Sequence, residues 1–168
     1  NTALGRSSLA ALTTAQFNVA VGQSALVNIT TASNNTGIGY NVLGSNTTGG
    51  NNTALGSEAM QAATGSNCIG IGYRALKNMT DTQNVAVGNN ALETATTAEF
   101  CVAVGNEAMN AVTSSHFSTA VGRRCLFRLT TGSNNTAMGQ GCAQHVTTGQ
   151  FNTAMGGDAL QQTTTGTS

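Results

Sequence analysis

Few side chains in the sequence could do chemistry: six carboxylates, two histidines and four cysteines among 168 residues. Glu58, Glu107 and Asp158 fall at the same position of a repeat described below, and paired carboxylates are the machinery of glycoside hydrolases. Successive members are three repeats apart, about 14 Å if layers stack about 4.8 Å apart, whereas a hydrolase pair needs about 5–9.5 Å. We therefore predict no catalytic residue and no enzyme.

The cysteines do not have the spacing of a metal site, since no two are separated by two residues. Cys68 and Cys101 are two repeats apart, about 9.5 Å, which is beyond the reach of a disulfide. Cys125 and Cys142 are in adjacent repeats, within disulfide range, but parallel side chains aim poorly for a bond. We interpret all four as small buried residues, and predict no metal and no cofactor.

The composition excludes several classes of function. Charged residues make up 7% of the chain, aromatic residues 4%, and the net charge is zero. Nucleic-acid binding needs a basic face, and a membrane span needs about 18 consecutive apolar residues, which no window approaches. We therefore predict no nucleic-acid partner and no membrane insertion. The zero net charge also argues against disorder.

The feature that organises these residues is a repeat, which divides residues 1–168 into ten coils of a single domain. Eight coils have 17 residues and two, beginning at 52 and 68, have 16. The sequence starts and stops within the pattern, which predicts a fragment of a longer fibrous protein. The coils begin at Asn1, Asn18, Asn35, Asn52, Cys68, Asn84, Cys101, Ser118, Asn135 and Asn152.

The columns of the repeat predict an all-β fold, a parallel β-solenoid. Position 2 is always β-branched, position 3 is Ala or Gly, position 4 is apolar and position 5 is always Gly. Positions 2 and 4 share a face only in an extended chain, so we expect them inside the coil, with a glycine corner after them. Positions 8 and 9 begin a second short strand, and positions 13–15 form a turn.

The predicted residues are of two kinds, core and corner. The predicted core comprises Val19, Val21, Leu26, Leu55, Ile71, Leu76, Val87, Leu92, Val104, Val121, Leu126 and Leu160. The predicted corners are Gly5, Gly22, Gly39, Gly56, Gly72, Gly88, Gly105, Gly122, Gly139 and Gly156.

Charges test the stacking, because equal positions of adjacent coils become neighbours. Opposite charges then pair in three places, with no like-charge pair in neighbouring coils of one column, which supports the register. The pairs are Glu58 with Arg74, Glu107 with Arg124, and Lys77 with Glu93. The Ala and Gly of position 3 would face outward as a smooth column against which another subunit could pack. We therefore predict a homo-oligomer along the solenoid axis, a trimer.

The stretches "NVAVGQSAL", "NTALGSEAM" and "NVAVGNNAL" resemble the head repeats of trimeric autotransporter adhesins. Similar repeats occur in the shafts of phage and viral tail fibres. The resemblance covers the whole chain and implies a left-handed parallel β-roll wound as a trimer, in an extracellular fibre that mediates attachment to a host receptor or glycan. The adhesin repeat typically has about 14 residues and this one has 17, so no ligand site is carried over.

Two other functions compete with the fibre. Coils without caps could stack end to end as a self-assembling extracellular filament. The Thr of position 13, present in all ten coils, would form a ladder, and flat threonine ladders can bind ice. These threonines come as adjacent pairs beside a turn, so hydrogen bonding to the backbone explains them adequately.

Aromatic and basic side chains mark the candidate contact surfaces. Phenylalanine alternates with asparagine at the last position of the coil, which is not how core residues vary. The four phenylalanines are Phe17, Phe100, Phe117 and Phe151. A second candidate surface lies within one coil and comprises Arg123, Arg124, Phe127 and Arg128.

Overall fold

The computed structural model describes residues 1–161 and 164–166, which form a parallel β-solenoid of about nine turns with no helix among those residues. Each coil contributes one strand of three residues to a single ten-stranded sheet. The strands are β1 Thr2–Leu4, β2 Val19–Val21, β3 Thr36–Ile38, β4 Thr53–Leu55, β5 Ile69–Ile71, β6 Val85–Val87, β7 Val102–Val104, β8 Thr119–Val121, β9 Thr136–Met138 and β10 Thr153–Met155.

The sheet runs in chain order from β1 to β10, and every neighbouring pair is parallel and in register. Position 2 pairs with position 2 and position 4 with position 4, as Val19 with Thr36 and Val21 with Ile38. The two 16-residue coils keep this register, since Thr53 pairs with Ile69. The predicted all-β parallel solenoid is therefore confirmed.

The prediction of two strands per coil is wrong, because the segment after the glycine corner is not extended. Residues at positions 7 and 9 have positive φ, for example 57° at Ser24 and 49° at Leu26. Left-handed residues interrupt a strand and turn the chain tightly. The segment still bonds between coils: the Leu26 N–H donates to the Val42 carbonyl at 2.9 Å.

The interior of the coil is narrow, and this decides which side of the strand is buried. Ala20, at position 3, is fully buried, as are Ala86 and Ala103 of later coils. A Cβ placed on Gly37, also at position 3, would come within 2.3 Å of Leu26 Cδ1. The position 9 side chain thus packs directly on the inner face of the sheet, where only Ala or Gly fits.

Seven of the twelve predicted core residues consequently lie on the opposite side of the strand from the one predicted. The side chains of positions 2 and 4 lie on the outer face of the sheet, half-buried or exposed, so their predicted place in the interior is wrong. These residues are Val19, Val21, Leu55, Ile71, Val87, Val104 and Val121. The position 9 residues of the prediction do lie inside: Leu26, Leu76, Leu92 and Leu126 are fully buried, and Leu160 is partly buried and packs against the core.

The glycine corners are where the sequence placed them. All ten have φ between 113° and 143°, a region that L-residues rarely adopt. The position 3 column does not face outward, however, so it cannot be the smooth surface on which another subunit packs. The reason for expecting a trimer must come from a different face.

Candidate functional site

The described part of the chain has neither a pocket nor a cluster of three or more His, Cys, Asp or Glu residues that could hold a metal ion. It also contains no apolar helix of membrane-spanning length. Candidate functional sites among these residues are therefore surfaces, which are built by the regular stacking of equal positions. Four such surfaces carry chemistry.

The first surface is a charged ladder on positions 7 and 10. Arg74 Nε donates to Glu58 Oε2 at 2.7 Å, and Arg124 pairs with Glu107, so two predicted pairs of adjacent coils are present. The third predicted pair, Lys77 with Glu93, does not form. Lys77 Nζ lies 3.8 Å from Glu58 and Arg74 reaches Glu93 at 3.7 Å, because positions 7 and 10 are neighbours across the ladder.

The second surface is the coil-8 patch, which we define as Arg123, Arg124, Phe127 and Arg128. The Arg124 guanidinium lies 5.4 Å from the centre of the Phe127 ring, and its Nε donates to Glu107. Arg123 and Arg128 are exposed. The structure thus brings Arg124 and Phe127 into contact and leaves Arg123 and Arg128 exposed on the same coil.

The third surface is the phenylalanine column at the last position of the coil. Phe17 is 71% exposed, and Phe100 and Phe117 stack with ring centres 5.0 Å apart and planes 3° from parallel. All four phenylalanines have positive φ, as do the asparagines that replace them, for example Asn34 at 62°. Asparagine adopts this conformation readily, which explains why it alternates with phenylalanine here.

The threonine column is engaged in hydrogen bonds between coils. Thr13 Oγ1 donates to the Thr30 carbonyl at 2.8 Å, and Thr80 Oγ1 donates to the Thr96 carbonyl at 2.7 Å. The same bond recurs at Thr96, Thr113, Thr130 and Thr147. These hydroxyl groups donate to the backbone of the next coil, so the fold accounts for the threonine column.

Sequence reasoning missed one buried polar column, the asparagines of position 1. Asn18 Oδ1 accepts the backbone N–H of Asn35 at 2.9 Å, and Asn18 Nδ2 donates to the Ala32 carbonyl at 3.0 Å. The signal was present, since Asn occurs at this position in seven of the ten coils. The asparagine column therefore holds together, by hydrogen bonds, the turn that precedes each strand.

All four cysteines are free and fully buried. Their thiols donate to backbone carbonyls, as Cys125 Sγ to Ala137 at 3.2 Å and Cys142 Sγ to Ala154 at 3.3 Å. Burial, with a smaller effect of the Cys142 thiol, raises the pKa of Cys125 to about 12, and burial raises the pKa of the other three thiols. Protonated, buried thiols of this kind are structural and poorly reactive.

The raised thiol pKa values predict a loss of stability in alkali. The unfolded thiols ionise near pH 8.5, whereas the folded thiols stay protonated, so the folded state binds more protons between the two values. The free energy of unfolding has its full value below about pH 8.5 and decreases as the pH rises above it. For Cys125 the decrease is on the order of 2 kcal/mol at about pH 10.5. Urea unfolding at the two pH values measures this. The Cys125→Ala variant should lose less stability over the same range, and an equal loss would contradict the assignment.

The fourth surface, the outer apolar face, consists of the position 2 and position 4 side chains along the whole sheet. Every position 4 residue is apolar. Leu4 is 67% exposed and Met155 70% exposed at the two ends, and Leu55 is 44% exposed between them. Position 2 is Thr in six coils and Val or Ile in the other four, so the position 4 column alone forms a continuous apolar strip in contact with water.

No family model, no curated protein and no solved structure matches this chain. The four surfaces and the repeat are therefore the observations from which a function can be argued.

Proposed function

We propose that the chain is a structural segment of an extracellular fibre, a phage or viral tail fibre or a bacterial surface adhesin, in which three copies form a rigid rod. The rod mediates attachment to a host surface or presents the part that does so. The single observation that supports this proposal is the outer apolar face, which runs the full length of the solenoid.

The dimensions of the outer apolar face fit an association surface. Ten strands about 4.8 Å apart span roughly 43 Å, and three residues of strand span about 10 Å, which gives a footprint of roughly 430 Å² that includes the six threonines of position 2. Apolar patches of more than a few hundred Å² on soluble proteins mark sites of interaction. An association that covered this strip would also use the residues at its edges, where the phenylalanine column lies next to the strands.

A second copy of the chain is the partner that fits best. A strip repeating with each coil requires a partner with the same axial repeat, and symmetric self-association supplies one. The motifs "NVAVGQSAL" and "NTALGSEAM" support three copies and an extracellular fibre, through their resemblance to adhesin and tail-fibre repeats. Ice binding is less well supported, because hydroxyls of the position 13 threonine ladder, such as those of Thr13 and Thr80, donate to backbone carbonyls of the next coil.

The molar mass in solution tests the proposal. We expect light scattering to give about three times the 16.9 kDa of one chain. Val104→Lys should reduce the mass to that of the monomer, since a charge inside the interface is costly, while Val104 is already partly exposed in the single chain. Gln140→Lys adds the same charge on an exposed position 6 side chain and should leave the trimer intact. A monomeric parent chain, or equal masses for the two variants, would overturn the proposal.

A further inference from the structure

The coil-8 patch differs from the rest of the molecule in its balance of charge. The chain has six Lys and Arg residues, and the charged ladder pairs Arg74, Lys77 and Arg124 with carboxylates. Within the described residues, neither Arg123 nor Arg128 forms an ion pair. Both side chains are exposed, so two guanidinium groups on one coil face water without a counter-charge.

The surrounding sequence does not supply the missing negative charge. Residues 108–157 contain no Asp or Glu, while they hold three arginines and both histidines. His145 occupies position 11 of the next coil, the same position as Arg128, so the in-register stack places their backbones about 4.8 Å apart. A chain with only 7% charged residues thus concentrates unpaired positive charge on coil 8.

The aromatic side chain within the patch adds a second kind of contact. Phe127 is partly exposed and lies beside Arg124, whose guanidinium is 5.4 Å from the ring centre. Arg123 and Arg128 flank this pair in the sequence. Guanidinium groups bind carboxylate and sulfate oxygens through paired N–H donors, and an aromatic ring offers a surface for the apolar face of a sugar.

From this arrangement we propose that the coil-8 patch binds an anionic polysaccharide, bearing sulfate or carboxylate groups. The two arginines without a counter-charge, Arg123 and Arg128, match two such groups along a sugar chain. They are fewer than the basic face of a nucleic-acid-binding protein, and fewer than the four to eight basic residues typical of an anionic-lipid surface. In a rod of several copies the patch repeats around the axis, and a long polysaccharide could engage several patches at once.

Binding of a heparin fragment at about 0.15 M salt, measured by calorimetry, tests this inference. We expect Arg123→Gln and Arg128→Gln each to weaken binding about tenfold, the loss of one charged hydrogen-bonding group. Arg6→Gln is the matched control, because Arg6 is exposed at position 6 of the first coil, the position that Arg123 occupies in coil 8. It removes the same charge and should change binding less than twofold.

Other probes identify the chemistry of the ligand. Heparin stripped of its sulfates and carboxylates should not bind. Absence of heparin binding, or an equal loss for Arg6→Gln and Arg123→Gln, would overturn the proposal. Equal or tighter binding of double-stranded DNA or of phosphatidylserine vesicles would also overturn it, in favour of a nucleic acid or a membrane.

The polysaccharide site deepens the attachment role proposed above, and its test is separable from that of the trimer. The Arg123→Gln and Arg128→Gln substitutions lie on the position 6 and position 11 columns, away from the outer apolar face. They should leave the molar mass unchanged. Failure of the trimer appears in the mass of the parent chain, whereas failure of the polysaccharide site appears only in binding.

Discussion

Gly105→Ala should destabilise the solenoid by roughly 3–5 kcal/mol, although it adds a single methyl group. Gly105 has a φ of 137°, which disfavours any L-residue. Its added Cβ would also lie 2.5 Å from the carbonyl oxygen of Gly122, directly below it in the next coil. The three nearest atoms are all backbone atoms, of Gly122 and Arg123, so no flexible side chain can move aside. The free energy of unfolding in urea measures the effect.

Two other glycines separate the causes of that loss. Gly156 is in the same column with a φ of 113°, but an added Cβ would meet no atom within 4 Å, so Gly156→Ala should cost only the strain of about 1–3 kcal/mol. Gly157 has no positive φ, and its Cβ would approach only the Gln140 carbonyl at 3.9 Å, so Gly157→Ala should be within about 0.5 kcal/mol of the parent. Equal losses at Gly105 and Gly156 would show that contact between stacked coils contributes nothing.

The sequence predicted the coil, the register and the corner glycines because each depends on a pattern that recurs ten times. It did not predict the inside of the coil. Ala20 and Val21 alternate, and hydrophobicity alone assigns the larger side chain to the core. The deciding quantity is the distance to the opposite wall, where Leu26 leaves no room for a side chain larger than Ala. That distance depends on the tertiary structure and cannot be inferred from the alternation of small and large residues along the strand.

The second strand was predicted for a related reason. Leu26 and Met60 look like strand residues, and nothing in a leucine or methionine side chain signals the positive φ of 49° and 51° that these residues adopt. At the last position of the coil the signal was present, because asparagine tolerates positive φ and alternates with Phe17 and Phe100. The stacked interactions between coils hold these residues in a conformation that their intrinsic preferences oppose.

The contacts on the candidate surfaces were likewise predicted from the sequence only in part. Two ion pairs of adjacent coils followed directly from the column positions. Lys77 was assigned to Glu93, of its own column, and instead approaches Glu58, which is at position 7 of the preceding coil. Contacts along a column follow from the repeat, whereas contacts across columns depend on how tightly the chain turns between positions 7 and 10.

The second large effect concerns the buried asparagine column, where Asn35→Ala should cost roughly 2–5 kcal/mol. Asn35 Oδ1 accepts the backbone N–H of Asn52 at 3.0 Å, and Asn35 Nδ2 donates to the Gly49 carbonyl at 3.1 Å. Alanine would leave the Asn52 N–H buried without this acceptor, because Asn35 is fully enclosed, and the Gly49 carbonyl would keep only its bond from Asn46 Nδ2. Thermal and urea unfolding report the loss, and the circular dichroism of the variant checks that the solenoid still forms.

A serine at the same position should restore part of that stability, because the chain already uses one there. Ser118 Oγ accepts the backbone N–H of Asn135 at 3.2 Å, the role that Asn35 Oδ1 has for Asn52. Asn35→Ser therefore keeps an acceptor for the next coil, although its shorter side chain does not reproduce the amide donor to Gly49. We expect its stability to lie between those of the parent and Asn35→Ala. If Asn35→Ala were as stable as the parent, the column would be a by-product of corner geometry, and the solenoid would depend on its backbone ladder and position 9 core alone.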